Sequence, residues 1–174
     1  AIKPPDKRAA QIAKTSSPYQ ITRDFKQMLV AAQRDDSAAV LRMIEGYFLN
    51  AAEFEVLFGP KLGKTLWPKY RDVIMRDVRK EIVRILATRA KAGFTEMDLI
   101  RVSTVRPKDT TRGDLALMNA LKKRPEMYTL RIRKKDAGLG LRLNGFVYVN
   151  NRWRSFFKTY DFLPKVTAKS TKTL

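Results

Sequence analysis

The side chains of this sequence suited to proton transfer are Tyr70, Asp98, Tyr128, Tyr148 and Asp161. A carboxylate and a phenol that converge in a cleft can pass a proton without help from an imidazole. They would have to do so here, because the 174 residues contain no histidine and no cysteine. Those two absences exclude Ser–His triads, His-ligated zinc or iron, thiolate metal sites, cysteine nucleophiles and disulfides. No spacing pairs an Asp with a Tyr, and isolated Asp and Tyr residues usually cap, turn or pack. No catalytic residue is therefore assigned, no metal or cofactor is expected, and Tyr70, Asp98, Tyr128 and Tyr148 stand as candidate pocket residues.

The run Gly59-Pro-Lys-Leu-Gly-Lys-Thr65 approaches a phosphate-binding loop but fails its spacing. That motif needs four residues between its glycines and should follow a buried strand. Here there are three, the preceding pattern is helical, and Pro60 removes one N–H from the cradle. A helix end followed by a new helix start accounts for the run, and Lys64 is expected to bind no nucleotide.

A third pattern is basic alternation late in the chain. Arg131 and Arg133 fall on one side of a strand, opposite Tyr128, Leu130 and Ile132; Arg142 alternates with Leu141 and Leu143, and Arg152 and Arg154 with Trp153. Side chains two apart share a strand face. Adjacent strands would thus gather several guanidiniums among aromatics, the composition of nucleic-acid surfaces and of protein-interface anchors. The candidate partner-binding residues are Arg131, Arg133, Arg142, Arg152, Arg154 and Lys158. A solvated outer sheet face is the plain alternative, and a bulge at Gly145 would exchange the faces.

The charge balance fits this placement. Thirty-six Lys and Arg against 17 Asp and Glu give +19, and 18 basic against six acidic side chains in residues 97–174 leave +12 of it there. Such a field favours polyanions, anionic membrane surfaces or acidic protein partners and says nothing of fold. No apolar run approaches the roughly 20 residues of a membrane helix.

The elements that must position these groups can be read from periodicity. A first helix is expected near Thr22, carrying Phe25, Met28, Leu29 and Ala32; a second after Asp35-Asp36-Ser37; and a short third capped by Asn50 and stopped at Gly59-Pro60. Leu66, Tyr70, Val73, Ile74, Val78, Ile82, Ile85 and Leu86 form the apolar stripe of one long amphipathic helix, with Pro68 in its first turn and Gly93 at its end. Asp72–Arg76, Asp77–Lys80 and Glu81–Arg84 are its expected outer pairs. The period then changes to two over 97–105, 127–134, 141–149 and 152–160, with a short helix near 113–122 and a tight turn at Asn150-Asn151. Helices first and an antiparallel meander last give an α+β fold with helices packed on one sheet face. The domain spans residues 19–163, between a basic, proline-containing arm at 1–18 and a basic tail at 164–174.

The segments Phe58–Gly63, Arg124–Arg131 and Gly145–Trp153, the last reading GFVYVNNRW, resemble those of uncharacterised, often exported bacterial proteins of the NTF2-like (cystatin-like) superfamily. The resemblance covers residues 20–160 and implies N-terminal helices curled over a bent antiparallel sheet, the NTF2-like cone. The superfamily holds isomerases, dehydratases, small-molecule binders and docking modules, so it implies fold more than function. Its enzymes use Asp and His in the cone, and this chain has no His to carry that role.

Three readings follow. The first is a non-catalytic basic module docking on an acidic protein assembly or other polyanionic surface through its sheet face and arms. The second is a nucleic-acid-associated accessory protein, such as a ribonucleoprotein subunit. The third is a pocket protein or enzyme using the space between long helix and sheet. Initiator removal, tag cleavage or signal-peptide cleavage would each leave Ala1 first. The polar segment behind it favours export to a periplasmic, lumenal or secreted location.

Overall fold

The computed structural model describes residues 17–103, 110–122 and 124–164. Most of the expected arm and tail lies outside them. Helix α1 (Tyr19–Gln33) buries Ile21, Phe25, Met28, Leu29 and Ala32 along one side. It begins three residues before Thr22, whose hydroxyl bonds back to the Tyr19 carbonyl at 2.7 Å instead of capping the helix. Helix α2 (Ser37–Glu45) is capped by Asp36, which accepts from the Ala39 N–H. Helix α3 (Ala51–Phe58) starts in a reciprocal box in which Asn50 and Glu53 each accept the other's backbone N–H, satisfying two otherwise orphaned donors.

The long helix is three segments in succession: α4 (Pro60–Lys69), a π-helical stretch (Tyr70–Val78) and α5 (Arg79–Lys91). It starts at Pro60, so Pro68 lies inside it, not in its first turn. A proline there leaves the carbonyl four residues back without its donor, and the turns widen two residues later. The buried positions are Leu66, Tyr70, Ile74, Val78, Ile82, Leu86 and Ala90, spaced every fourth residue. In a uniform α-helix such a stripe would rotate by about 40° per step. The wider i→i+5 turns of the π stretch rotate it back, which keeps one seam on the core. Val73, expected in the stripe, is exposed. The outer pairs also differ: Arg71–Asp72 and Arg76–Asp77 form between sequence neighbours in place of Asp72–Arg76 and Asp77–Lys80, and Glu81 meets Lys158 in place of Arg84.

Gly63 explains the glycine-rich run. A Cβ there would lie 2.7 Å from the Phe54 carbonyl oxygen and 2.8 Å from the Glu55 backbone. The residue is the touching point of α3 and α4, and the run is a helix junction.

Strands β1 (Phe94–Arg101), β2 (Met127–Lys134), β3 (Gly140–Val149) and β4 (Arg152–Ser155) form an antiparallel meander in that order, with α6 (Arg112–Ala120) between β1 and β2. The fold is thus α+β. Helices cover both faces of β2, not one. Neighbours Thr129 and Leu130 must point to opposite faces, and both are fully buried. Tyr128 pairs with Phe146, and Phe146 packs edge-to-face on Phe25 of α1, so that side belongs to α1. Thr129 on the other side bonds to Asp114 of α6.

The pairing shifts from Tyr128↔Phe146 to Leu130↔Leu143, an extra β3 residue at Asn144-Gly145. Gly145 carries the bulge at φ 75°. The face exchange follows: odd-numbered Leu141 and Leu143 and even-numbered Phe146 all turn toward the helices. Asn150 and Asn151, at φ 49° and 61°, close the β3–β4 hairpin.

Two strands differ from their expected ranges. β1 begins directly after Gly93 and ends at Arg101, with residues 104 and 105 outside the described set. β4 ends at Ser155, five residues early. Ser155 donates its N–H to the Tyr47 carbonyl and pairs beside Phe48, Phe156 turns into the core, and Phe157 takes φ 47°. The chain continues as a 3₁₀ turn (Thr159–Phe162).

Candidate functional site

Where α6 stops covering the outer face of β2, arginines take over. Arg131 sits opposite Asp98 of β1 on one side and Arg142 of β3 on the other. Asp98 holds two guanidiniums at once. Arg131 donates Nε to Asp98 Oδ2 at 2.9 Å, with Nη2 2.8 Å from the same oxygen. Arg133 donates Nε to Oδ2 at 2.8 Å and Nη2 to Oδ1 at 3.4 Å. The Arg133 hydrogen bond, with that from Arg131, holds the Asp98 carboxyl below the usual carboxylate range against the opposing effect of burial. The acid is therefore ionised at neutral pH and fixes both arginines. Their side chains remain 26% and 23% exposed, so the cluster is oriented and still reachable. Arg142 stands next to Arg131 in the register, and Glu96 and Asp136 add their charges beside Arg133.

The other expected docking residues do not join them. Arg154 is buried: it donates Nε to Glu53 Oε1 of α3 at 3.1 Å and also bonds the Gly46 carbonyl. Its side chain and that of Glu53 are 9% and 2% exposed. It ties β4 to the helices and is removed from any docking surface. Arg152 is exposed beside the Asn150-Asn151 turn. Lys158 lies elsewhere again, 3.6 Å from Glu81 of α5.

The candidate pocket residues are likewise dispersed. Tyr70 is fully buried, donating its hydroxyl to the Ser155 carbonyl at 2.8 Å and accepting the Leu49 N–H at 3.2 Å. Burial pushes that hydroxyl far above the ordinary tyrosine range, so it serves as a neutral cross-brace. Tyr128 donates to Glu126 and meets Trp153 edge-on, as Tyr148 meets it at a tilt. Asp98 belongs to the arginine cluster. Asp161 lies in the 3₁₀ turn. No two of these groups converge as an acid–base pair.

A cavity of about 210 Å³ opens between the long helix, the first half of β3 and residues 157–160. None of the four candidate pocket residues lines it. Lys158 and Arg142 do, having been expected on the docking face.

Comparison of the chain with protein-family models, with curated proteins and with solved structures finds no match.

Sequence reasoning missed three groups. Glu53 is the buried partner of Arg154, and its only signal was its place three residues after Asn50. Asp114 is fully buried in α6, its Oδ2 accepting from Thr111 Oγ1 at 2.8 Å and Asn144 Nδ2 at 3.0 Å. Its Oδ1 is buried with no hydrogen-bond partner. The third is the lining of the cavity: a space between long helix and sheet was expected, but Ile82, Ile85, Leu143 and Phe157 were not singled out as its walls. Among the described residues no helix is long and apolar enough to cross a membrane, and no acidic cluster is arranged to hold a metal ion.

Proposed function

We propose that this chain is a non-catalytic, NTF2-like docking module that binds the carboxylate-rich surface of an acidic protein assembly through the outer sheet face built on Arg131, Arg133 and Arg142. The observation that carries the reading is the shared Asp98 carboxylate. It orients two guanidiniums, each about a quarter exposed, side by side on neighbouring positions of one strand face. An arginine so held loses little freedom on binding, and its planar fork matches a carboxylate in two parallel bonds. The rest of the +19 field raises the encounter rate with an acidic partner.

The test uses a fluorescein-labelled poly-glutamate peptide and a duplex DNA of unrelated sequence, titrated at rising salt. The reading expects peptide binding that Arg131→Ala and Arg133→Ala together weaken about tenfold, with less effect on DNA. DNA binding that is tighter, steeply salt-dependent and equally lost in the variant would favour the nucleic-acid reading instead.

A further inference from the structure

The cavity beside β3 exists because the fourth strand is short. β4 pairs only with residues 146–149 of β3, and the chain then turns away through Phe157 at φ 47°. Four consecutive β3 residues, Leu141 to Asn144, line the cavity. Successive side chains of a strand point to opposite faces, so a space that touches all four lies at the strand's edge, in the path β4 would have followed. Its far wall is the helix, beginning at Val78, where the π stretch ends.

Two local irregularities thus meet at this one space. A bulky residue in the left-handed region and a run of π-helix each cost stability, and both concentrate at ligand sites. The walls are apolar, from Ile82 and Ile85 of α5, Leu141 and Leu143 of β3, and Phe157. An apolar cavity of about 150 Å³ already accepts benzene. At about 210 Å³ this one has room for a ring with a short arm or a chain of about eight carbons.

The rim supplies the polar end. Lys158 and Glu81 face each other across it, with Arg142 also in the lining. The Lys158–Glu81 contact is long at 3.6 Å and both side chains are about half exposed, so it costs little to open. Asn144 is held from behind. Its Nδ2 donates to Thr111 Oγ1 and to Asp114 Oδ2, each at 3.0 Å. That uses both its N–H groups and leaves its carbonyl oxygen as the group it can offer a ligand hydroxyl.

We infer that this cavity is a binding site for a small amphipathic carboxylic acid, its ring or short chain lying between Ile82, Ile85, Leu143 and Phe157 and its carboxylate paired with Lys158. The inference does not rest on the docking reading: Arg142 lines both places, but the ligand is held here by Lys158 and the apolar walls, and Arg131 and Arg133 take no part.

Octanoate and 3-phenylpropanoate are the probes, titrated into the whole chain by calorimetry and by methyl-resolved NMR. Saturable binding with Kd of about 10 µM to 1 mM is expected for ligands of this size. Methyl shifts should centre on Ile82, Ile85 and Leu143. Lys158→Glu should weaken octanoate at least about fivefold while leaving 1-octanol unchanged, and Ile85→Trp should weaken both by filling the space. Octylammonium binding as tightly as octanoate would overturn the carboxylate assignment. The absence of saturable binding, or shifts centred away from these methyls in the unmodified protein, would overturn the site itself.

Discussion

Two arginine–carboxylate contacts, both set on the face of the sheet turned away from α1, have opposite roles. Arg154 and Glu53 are buried under α3, one partner on the sheet and one on a helix. Arg131, Arg133 and Asp98 lie on β1 and β2 alone, where no helix among the described residues buries them. In sequence the arginines looked alike, each alternating with core residues. Their difference comes from what lies over them. Under a helix, guanidinium and carboxylate must satisfy each other fully, and the pair becomes a structural joint. Without that cover, the same chemistry leaves oriented donors at the surface.

The largest effect should come from breaking the buried joint. Glu53→Ala leaves Arg154 charged and unpaired in the interior, and urea unfolding should show a loss of about 3–5 kcal/mol. Replacing both, as Glu53→Leu with Arg154→Met, should recover most of that loss. A single-variant loss near zero would mean the pair is wet, and the contrast between the two regions would disappear.

The next largest effects probe the core that sets the cover in place. Ile82→Ala should cost about 2–5 kcal/mol through lost burial and the cavity left behind, since Ile82 is 3% exposed at the centre of the stripe. Tyr70→Phe should cost about 1–3 kcal/mol, because the Leu49 N–H and the Ser155 carbonyl both lose their buried partner. A loss below that range in both variants would contradict the four-residue seam.

Asp98 gives a smaller, pH-dependent effect. Its folded pKa is depressed by its arginine partners, so its contribution is complete above the unfolded value of about 3.9. The contribution is then lost as pH falls through the lower folded value. The stability difference between the wild type and Asp98→Asn should therefore be constant near neutrality and shrink below about pH 4. A difference that grows on acidification would reverse the assignment.

The helical half of the fold was legible because its signals are local. The Asn50 cap, the Asp36 cap and the stripe through Ile82 each lie within a few residues of what they determine. β2 showed its full range for the same reason, its alternation being unbroken from Met127 to Lys134. The end of β4 was not legible. Residues 156–160 keep an alternating, aromatic-rich pattern, yet Phe156 is drawn into the cluster with Phe54 and Phe58, a long-range contact that outweighs strand propensity. The candidate site divided in the same way. Arg131, Arg133 and Arg142 stay together because strand pairing preserves their alternation. Arg154 leaves them because its partner, Glu53, is 101 residues away in sequence.

The central claim is that a shaped face, not net charge, binds the acidic partner. The direct measurement compares two triple variants with equal charge change, Arg131→Glu/Arg133→Glu/Arg142→Glu and Lys165→Glu/Lys169→Glu/Lys172→Glu, for binding labelled poly-glutamate. Circular dichroism should first show both folded, since partly exposed charges contribute little to stability. The account predicts that the sheet-face set weakens binding at least about tenfold more than the tail set, with the widest gap at low salt, where screening is least. Equal losses from the two sets, or none from the sheet face, would contradict it.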